Sequence, residues 1–464
     1  MLIQHLSYRA SFLGLASIAL LAFAVLWLAI PETLQDERLA QDESYSMLLA
    51  HSSTILIWAI SLASILCMLL RPRRIAEAYW ACGGGILLVL TRLLPLPQAA
   101  HAVYEGLNVY LFLAGMMILA ELAREEKVFD WVADVAAQHA RNSPGRLFVL
   151  IYLVGTAVTA FLSNDATAVV LTPAVLAVVR RAKVNPKPYL LACAFIANAA
   201  SFVFPISNPA NLVVFGQRMP ALGTWLRIFL PASVASILVT FLCLRWISRK
   251  ELRGKMRGEI ERVVLSTEGK LALVGLGIAA AALVASSALG LSLGAPTCCA
   301  AVCAIAVVAW RDRSIPLKVA KGVSWSVLPL VAGLFVIVEA LQNAGLLSLG
   351  LAGLRALAEP ATWAAKGTAA FTVALLSNGM NNLPVGLMSG AAIRHAQETS
   401  VVAHAILIGV DLGPNLSVTG SLATILWLIA LRREKVEITP WEFFKLGIIV
   451  MPLSLIASLL VLWN

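Results

Sequence analysis

The chain has 464 residues, of which 60% are apolar and 13% charged, against roughly 25% charged in a soluble globular domain. Its net charge of +10 does not point to a nucleic acid or another acidic partner. Lys and Arg collect in the loops between long apolar stretches, as the positive-inside rule requires of a polytopic membrane protein, and no polar stretch is long enough for a separate soluble domain.

In chain order, the first apolar stretch, 11–30, is followed by an acidic loop without a small-residue cleavage site. It reads as a retained helix rather than a signal peptide. Spans of the roughly 20 residues that a bilayer demands are expected near 50–70, 76–96 and 103–122, with 95–101 as an outer loop. Two apolar arms follow, 147–162 and 166–179, each shorter than a full span and joined by Ser163-Asn164-Asp165. Arg141 and Arg146 precede the arms and Arg180 and Arg181 follow them, so both ends belong on the cytoplasmic side. The pattern predicts a helical hairpin, 147–179, entering from the cytoplasm.

A broken helix is expected at 188–216, interrupted by Ser207-Asn208-Pro209-Ala210-Asn211. Helices near 226–247, 271–289, 295–310 and 324–345 lead to a second hairpin, 367–393. Its tip holds Ser377-Asn378-Gly379 and Asn381-Asn382, and charge counting has it enter from outside. A second broken helix, 401–431, carries Asp411-Leu412-Gly413-Pro414-Asn415, and a last span runs near 441–463.

Gly115 and Glu121 recur 218 residues later as Gly333 and Glu339, each pair on the helix before a hairpin. An odd number of spans per copy turns the second copy over. The expected fold is therefore an all-α polytopic membrane protein with inverted five-plus-five helix repeats, two re-entrant helical hairpins and broken helices. The expected divisions are a first helix and outer loop (1–48), a first repeat (49–247), a basic cytoplasmic linker (248–269) and a second repeat (270–464). Amphipathic connectors at 123–140 and 348–358 would lie along opposite interfaces.

Four unwound polar patches in two matching pairs are the pattern of a secondary transporter, whose substrate binds between repeats at mid-membrane. Backbone freed by a break there has to be buried in protein or line a wet cavity. The acids inside apolar segments are Glu105, Glu121, Asp165, Glu339 and Asp411. Intramembrane acids are functional candidates because burying their charge is costly. Asp165 and Asp411 lie in the breaks and are the candidates for proton coupling, with capping of half-helix N-termini as the structural alternative. Glu121 and Glu339 lie near helix ends, where snorkelling or a structural hydrogen bond accounts for them.

Ser163, Asn164, Asn208, Asn211, Ser377, Asn378, Asn381, Asn382 and Asn415 are the candidate substrate ligands, since each amide offers a donor and an acceptor together. No tip carries Lys or Arg, which favours a neutral or cationic substrate over a dicarboxylate. The seven cysteines suggest no disulfide framework. Cys298, Cys299 and Cys303 could hold a soft ion or simply serve as small hydrophobes. No cofactor or resident metal is expected. An intramembrane aspartyl protease would use Asp165 and Asp411 as a dyad, but these follow Asn and Val rather than the Tyr-Asp and Gly-x-Gly-Asp of such enzymes. A passive channel would need no protonatable residue.

The segment from Gly409 to Trp427, with Asp411-Leu412-Gly413-Pro414-Asn415 at its head, resembles the signature of ArsB-type arsenite efflux permeases. Leu162-Ser163-Asn164-Asp165 with Leu171-Thr172-Pro173, and Asn381-Asn382-Leu383-Pro384, resemble other motifs of that family, which belongs to the ion transporter superfamily. Dicarboxylate carriers of the superfamily have Ser-Asn-Thr at both tips, where this chain has Asp165 and Gly379. The resemblance implies a protein of the bacterial inner membrane that expels arsenite or antimonite in exchange for protons. In some members it also implies a soluble arsenite-stimulated ATPase as partner. An NhaD-like sodium/proton antiporter built on the same acids is the alternative.

Overall fold

The computed structural model describes residues 43–72, 75–216, 219–258, 264–346, 363–395 and 401–462. The expected first helix (11–30) and second connector (348–358) lie outside the described residues. In chain order the helices are α1 Glu43–Leu70, α2 Glu77–Leu90, α3 Leu96–Glu105, α4 Leu107–Glu125, α5 Val128–His139, α6 Pro144–Phe161, α7 Thr172–Arg181, α8 Lys187–Ala199, α9 Pro209–Phe215 and α10 Leu222–Ile247. They continue as α11 Thr267–Ala288, α12 Gly294–Ala309, α13 Ile315–Gly322, α14 Val327–Leu341, α15 Trp363–Met380, α16 Asn382–His395, α17 Val401–Leu412, α18 Leu422–Arg433 and α19 Pro440–Leu462.

Among the described residues there are only helices and their connections. A bilayer offers backbone groups no water, and a helix satisfies them within one segment. Seven helices among the described residues are long and apolar enough to cross a membrane. The chain is an all-α, multi-pass membrane protein.

It divides into two compact units, Met1–Gly106 with Ser326–Leu349, and Leu107–Trp325 with Gly350–Asn464. In the first, α14 lies against α2, and the core gathers Ile57, Leu88, Leu94, Ile337 and Leu341. In the second, α8 and α17 are buried on nearly every face, while α10, α11 and α19 leave apolar side chains exposed. A helix that is apolar all round belongs in an interior, and here the two interior helices are the two that break. The helix pairs α6–α7, α8–α9, α15–α16 and α17–α18 occupy 144–181, 187–215, 363–395 and 401–433.

Two stretches differ from expectation. Residues 95–101, expected as an outer loop, begin α3, because Pro97 occupies its first turn, where a missing N–H costs nothing. The second hairpin does not unwind at Ser377. Its first arm stays helical to Met380, because Ser377 Oγ donates to Val373 O at 2.9 Å and Asn378 Nδ2 to Ala374 O at 2.7 Å. The break is confined to Asn381, with φ of 73°.

The recurring glycines make the same kind of contact in each unit. A Cβ at Gly115 would stand 2.7 Å from the Thr297 carbonyl carbon of α12, and one at Gly333 2.6 Å from that of Ala81 in α2. Close backbone approach of this kind is how helices associate in lipid. Gly115→Ala and Gly333→Ala are expected to lower the detergent-solubilised protein's Tm, at a cost of roughly 1–3 kcal/mol each for overpacking. Gly83→Ala, with open space at its Cβ position, is the control. Equal Tm values for all three would disprove the close contact.

Candidate functional site

All four breaks lie in the second unit, and a continuous set of hydrogen bonds joins them. At the first hairpin tip, Ser163 Oγ accepts from Ala166 N at 3.1 Å and Asn164 Oδ1 from Asp165 N at 2.9 Å. Ser163 therefore does the capping that Asp165 was a candidate for. Asp165 is half-buried, and among the described residues nothing hydrogen-bonds its carboxylate. The chain then makes a π-helical turn, Ala166–Leu171, before α7. Thr172 Oγ1 donates back to Thr167 O at 3.1 Å, and Thr167 pairs with Thr159 of the other arm at 2.8 Å. A π-turn inserts one extra residue, a device that recurs at functional sites.

Ser207 ties this hairpin to the first broken helix by donating to Ala160 O at 2.9 Å. Asn208 caps α9, its Oδ1 accepting from Ala210 N at 3.0 Å, and its Nδ2 donates to Asp411 Oδ1 at 2.7 Å. Asp411 is fully buried at the C-terminal end of α17, so it caps no helix N-terminus, and among the described residues its Oδ2 has no hydrogen-bond partner. A second bond crosses between the broken helices. Asn198 Nδ2 donates to Asn415 Oδ1 at 3.0 Å, while Asn415 Nδ2 donates to Phe195 O at 3.1 Å. Asn211 Nδ2 holds the Ser201, Phe204 and Pro205 carbonyls of its own loop.

The second broken helix then meets the second hairpin. Asn378 Nδ2 donates to Gly413 O at 2.9 Å, its Oδ1 accepts from Ser417 Oγ at 2.6 Å, and its carbonyl accepts from Thr419 Oγ1 at 2.9 Å. Asn381 Oδ1 accepts from Leu383 N at 3.3 Å, and Asn382 is buried beside it. Among the described residues no hydrogen bond joins the two hairpin tips directly. Asn378 and Asn415 commit both ends of their amides to protein partners. Among the described residues Asp411 Oδ2, Asn211 Oδ1 and Asn198 Oδ1 are buried without a hydrogen-bond partner, and nothing hydrogen-bonds the Asp165 carboxylate.

Sequence reasoning missed Asn198, Ser417 and Thr419. Asn198 and its partner Asn415 are 217 residues apart, and only the repeat offset hinted that the two breaks would meet. It also missed three ion pairs at the basic base of the first hairpin and broken helix. These are Arg181–Asp134 at 2.5 Å, Arg180–Glu434 at 2.9 Å and Lys187–Glu442 at 2.7 Å. Glu121 pairs with Arg124 within its own helix, and Glu339 is half-buried. Cys298 is half-buried, and Cys299 and Cys303 are exposed on α12. No group of three or more potential ligands placed to hold a metal occurs among the described residues.

Residues 65–410 match the family described as CitMHS, citrate transporter. The chain is 28% identical over 411 residues to an arsenical pump membrane protein of Escherichia coli, covering 85% of this chain and 95% of that one. A protein of the same description in Yersinia enterocolitica is 29% identical over 350 residues, 72% of this chain and 81% of that one. The ArsB-type resemblance carried by residues 409–427 agrees with these relatives. In structure the chain is similar to the YdaH transporter of Alcanivorax borkumensis, with a TM-score of 0.50 and 16% identity, covering 78% of this chain and 86% of that one. At that identity the likeness speaks to fold.

Asn415→Ala leaves the Asn198 Nδ2 donor without its partner inside the protein. It is expected to destabilise by about 1–3 kcal/mol, read as a lower Tm in detergent. The double variant Asn198→Leu/Asn415→Leu, which removes both partners, is expected to recover part of that loss. A single variant as stable as the parent would contradict the crossing bond.

Proposed function

The chain belongs to the CitMHS citrate-transporter family, and on that premise we propose that it is a secondary active transporter exporting arsenite and antimonite. The trivalent hydroxides leave the cytoplasm in exchange for protons, by alternating access. The observation that carries this reading is the Asn208–Asp411 pair, which spans both broken helices and, among the described residues, leaves one carboxylate oxygen buried without a hydrogen-bond partner. An acid at the meeting point of the broken helices is placed to exchange a proton as access changes.

Asp165, at the first hairpin tip, is the second proton carrier of the proposal. Ser163, Asn164, Asn208, Asn381 and Asn382 present the cargo-facing donors and acceptors, with Asn211, Ser377, Asn378 and Asn415 fixing the loops behind them. A neutral trihydroxide suits such groups, since each hydroxyl both donates and accepts. Uphill movement of a neutral solute needs a charged co-reactant, and a proton crossing the potential contributes about 2.3 kcal/mol per 100 mV.

Citrate, the cargo in the family's description, fits this chemistry poorly. A tricarboxylate calls for cationic ligands, whereas the breaks carry two acids and no Lys or Arg. The inverted five-plus-five repeat is part of the same proposal. It is supported by the matched glycine contacts of Gly115 on α12 and Gly333 on α2.

Arsenite accumulation in inverted membrane vesicles is the direct test, and an uncoupler is expected to abolish it. Asp165→Asn is expected to remove uphill accumulation. Asp411→Asn should keep arsenite exchange down its gradient while losing the pH-driven component, and Asn208→Ala should chiefly raise KM. Sodium uptake with no arsenite response, or parental accumulation by both aspartate variants, would sink the proposal.

A further inference from the structure

The basic end of the α10–α19 pair carries a feature that transport chemistry does not use. The two helices pack together along their lengths, and Ser458 Oγ donates to Ala232 O at 2.9 Å. The opposite ends are linked through the base of the first hairpin. There Arg245 reaches Gly145 O at 3.5 Å, Tyr189 OH donates to Pro144 O at 3.0 Å, and Lys187 pairs with Glu442. The C-terminus of α10 and the N-terminus of α19 therefore share one end, which the positive-inside rule puts at the cytoplasmic face.

Each helix finishes there in an exposed tryptophan under a cation. The Arg249 guanidinium lies 5.3 Å from the Trp246 ring centre, and the Lys445 ammonium 5.5 Å from that of Trp441. Both indoles are 61% exposed. Neither cation has a carboxylate within ion-pair distance among the described residues, and the nearby Glu442 is committed to Lys187 and Thr439. Exposed Glu251 and Glu437 make no ion pair. Toward the membrane interior, Leu238, Leu242, Ile448 and Ile449 are exposed apolar side chains on the same two helices.

A strap, 251–258, continues from this end across the first hairpin. Met256 N donates to Asn142 O at 3.1 Å and Arg257 N to Ala182 O at 3.2 Å. Leu252 and Met256 are buried, while Arg253, Lys255 and Arg257 face outward.

We infer that this end is a binding site for the phosphate headgroup of an anionic phospholipid. Indoles settle at the headgroup level of a bilayer, and a cation over an indole is held there without being neutralised. A guanidinium and an ammonium with no acidic partner complement a phosphate diester, and the apolar side chains beneath them suit its acyl chains. The positive-inside rule accounts for the sign of the charge but not for two unpaired cations each seated on an exposed indole. The strap's bonds to Asn142 and Ala182 connect this end to the segments that flank the first hairpin. The inference is independent of which solute the protein carries.

Native mass spectrometry of the full-length protein in detergent, with phosphatidylglycerol or phosphatidylcholine added, tests it. Retention of phosphatidylglycerol over phosphatidylcholine is expected. Arg249→Gln/Lys445→Gln should weaken that retention about 25-fold, at roughly fivefold per cation. Arg249→Lys/Lys445→Arg should preserve it and so exclude misfolding as the cause. The control Arg432→Gln/Arg433→Gln, at another basic helix end, should change it little. Equal losses in the control would mean diffuse surface charge and overturn the site. Displacement of the lipid by excess inorganic phosphate would make it a soluble-anion site and overturn it too, as would equal retention of both lipids.

Discussion

Backbone groups released inside a bilayer find no water, and this chain releases them at four places within one unit. Each unsatisfied group would cost several kcal/mol, so the breaks cannot be scattered. They have to be brought together and made to serve as one another's partners. Ser207 and Asn378 donate to the freed carbonyls Ala160 O and Gly413 O, and the side-chain pairs Asn208–Asp411 and Asn198–Asn415 fasten the breaks together, from one hairpin through both broken helices to the other hairpin. The burial of α8 and α17 on nearly every side follows, because only interior helices can offer their broken ends to each other.

The same constraint separates the two acids. Asp411 sits where the network closes, held by Asn208 on one oxygen, with the other buried and without a hydrogen-bond partner among the described residues. Asp165 sits where the network has a loose end, since Ser163 and Asn164 have already satisfied the tip's amides. One carboxylate is built into the scaffold and the other stands beside it. In the proposed proton exchange, two acids in such different settings suit different parts of the cycle.

Much of this was legible in the residues. Ser163-Asn164-Asp165 unwinds the chain because short polar side chains there take up the backbone N–H groups, and the charge of the flanking arginines framed the hairpin. The second tip was less legible, because Ser377 and Asn378 turn their side chains onto carbonyls four residues back and keep the helix wound. Composition cannot distinguish a Ser that breaks a helix from one that folds onto it. Asn198 was out of reach for another reason. It lies inside a helix whose periodicity is uninterrupted, and its importance comes from a partner on a distant segment. The ion pairs Arg180–Glu434 and Lys187–Glu442 were hidden in the same way, each looking like ordinary loop charge until the fold joined it to its counterpart.

The amide pair between Asn198 and Asn415 also bears on how variants of such a protein are to be interpreted. A bond that fastens one interrupted helix to the other makes the two travel as a single piece, so loosening it shifts every group attached to either. Substitutions there would imitate the loss of a cargo ligand without touching the cargo. Activity alone therefore cannot mark out the residues in contact with the transported solute. A lost ligand weakens affinity in a protein of unchanged thermal stability, whereas a loosened fastening lowers both together.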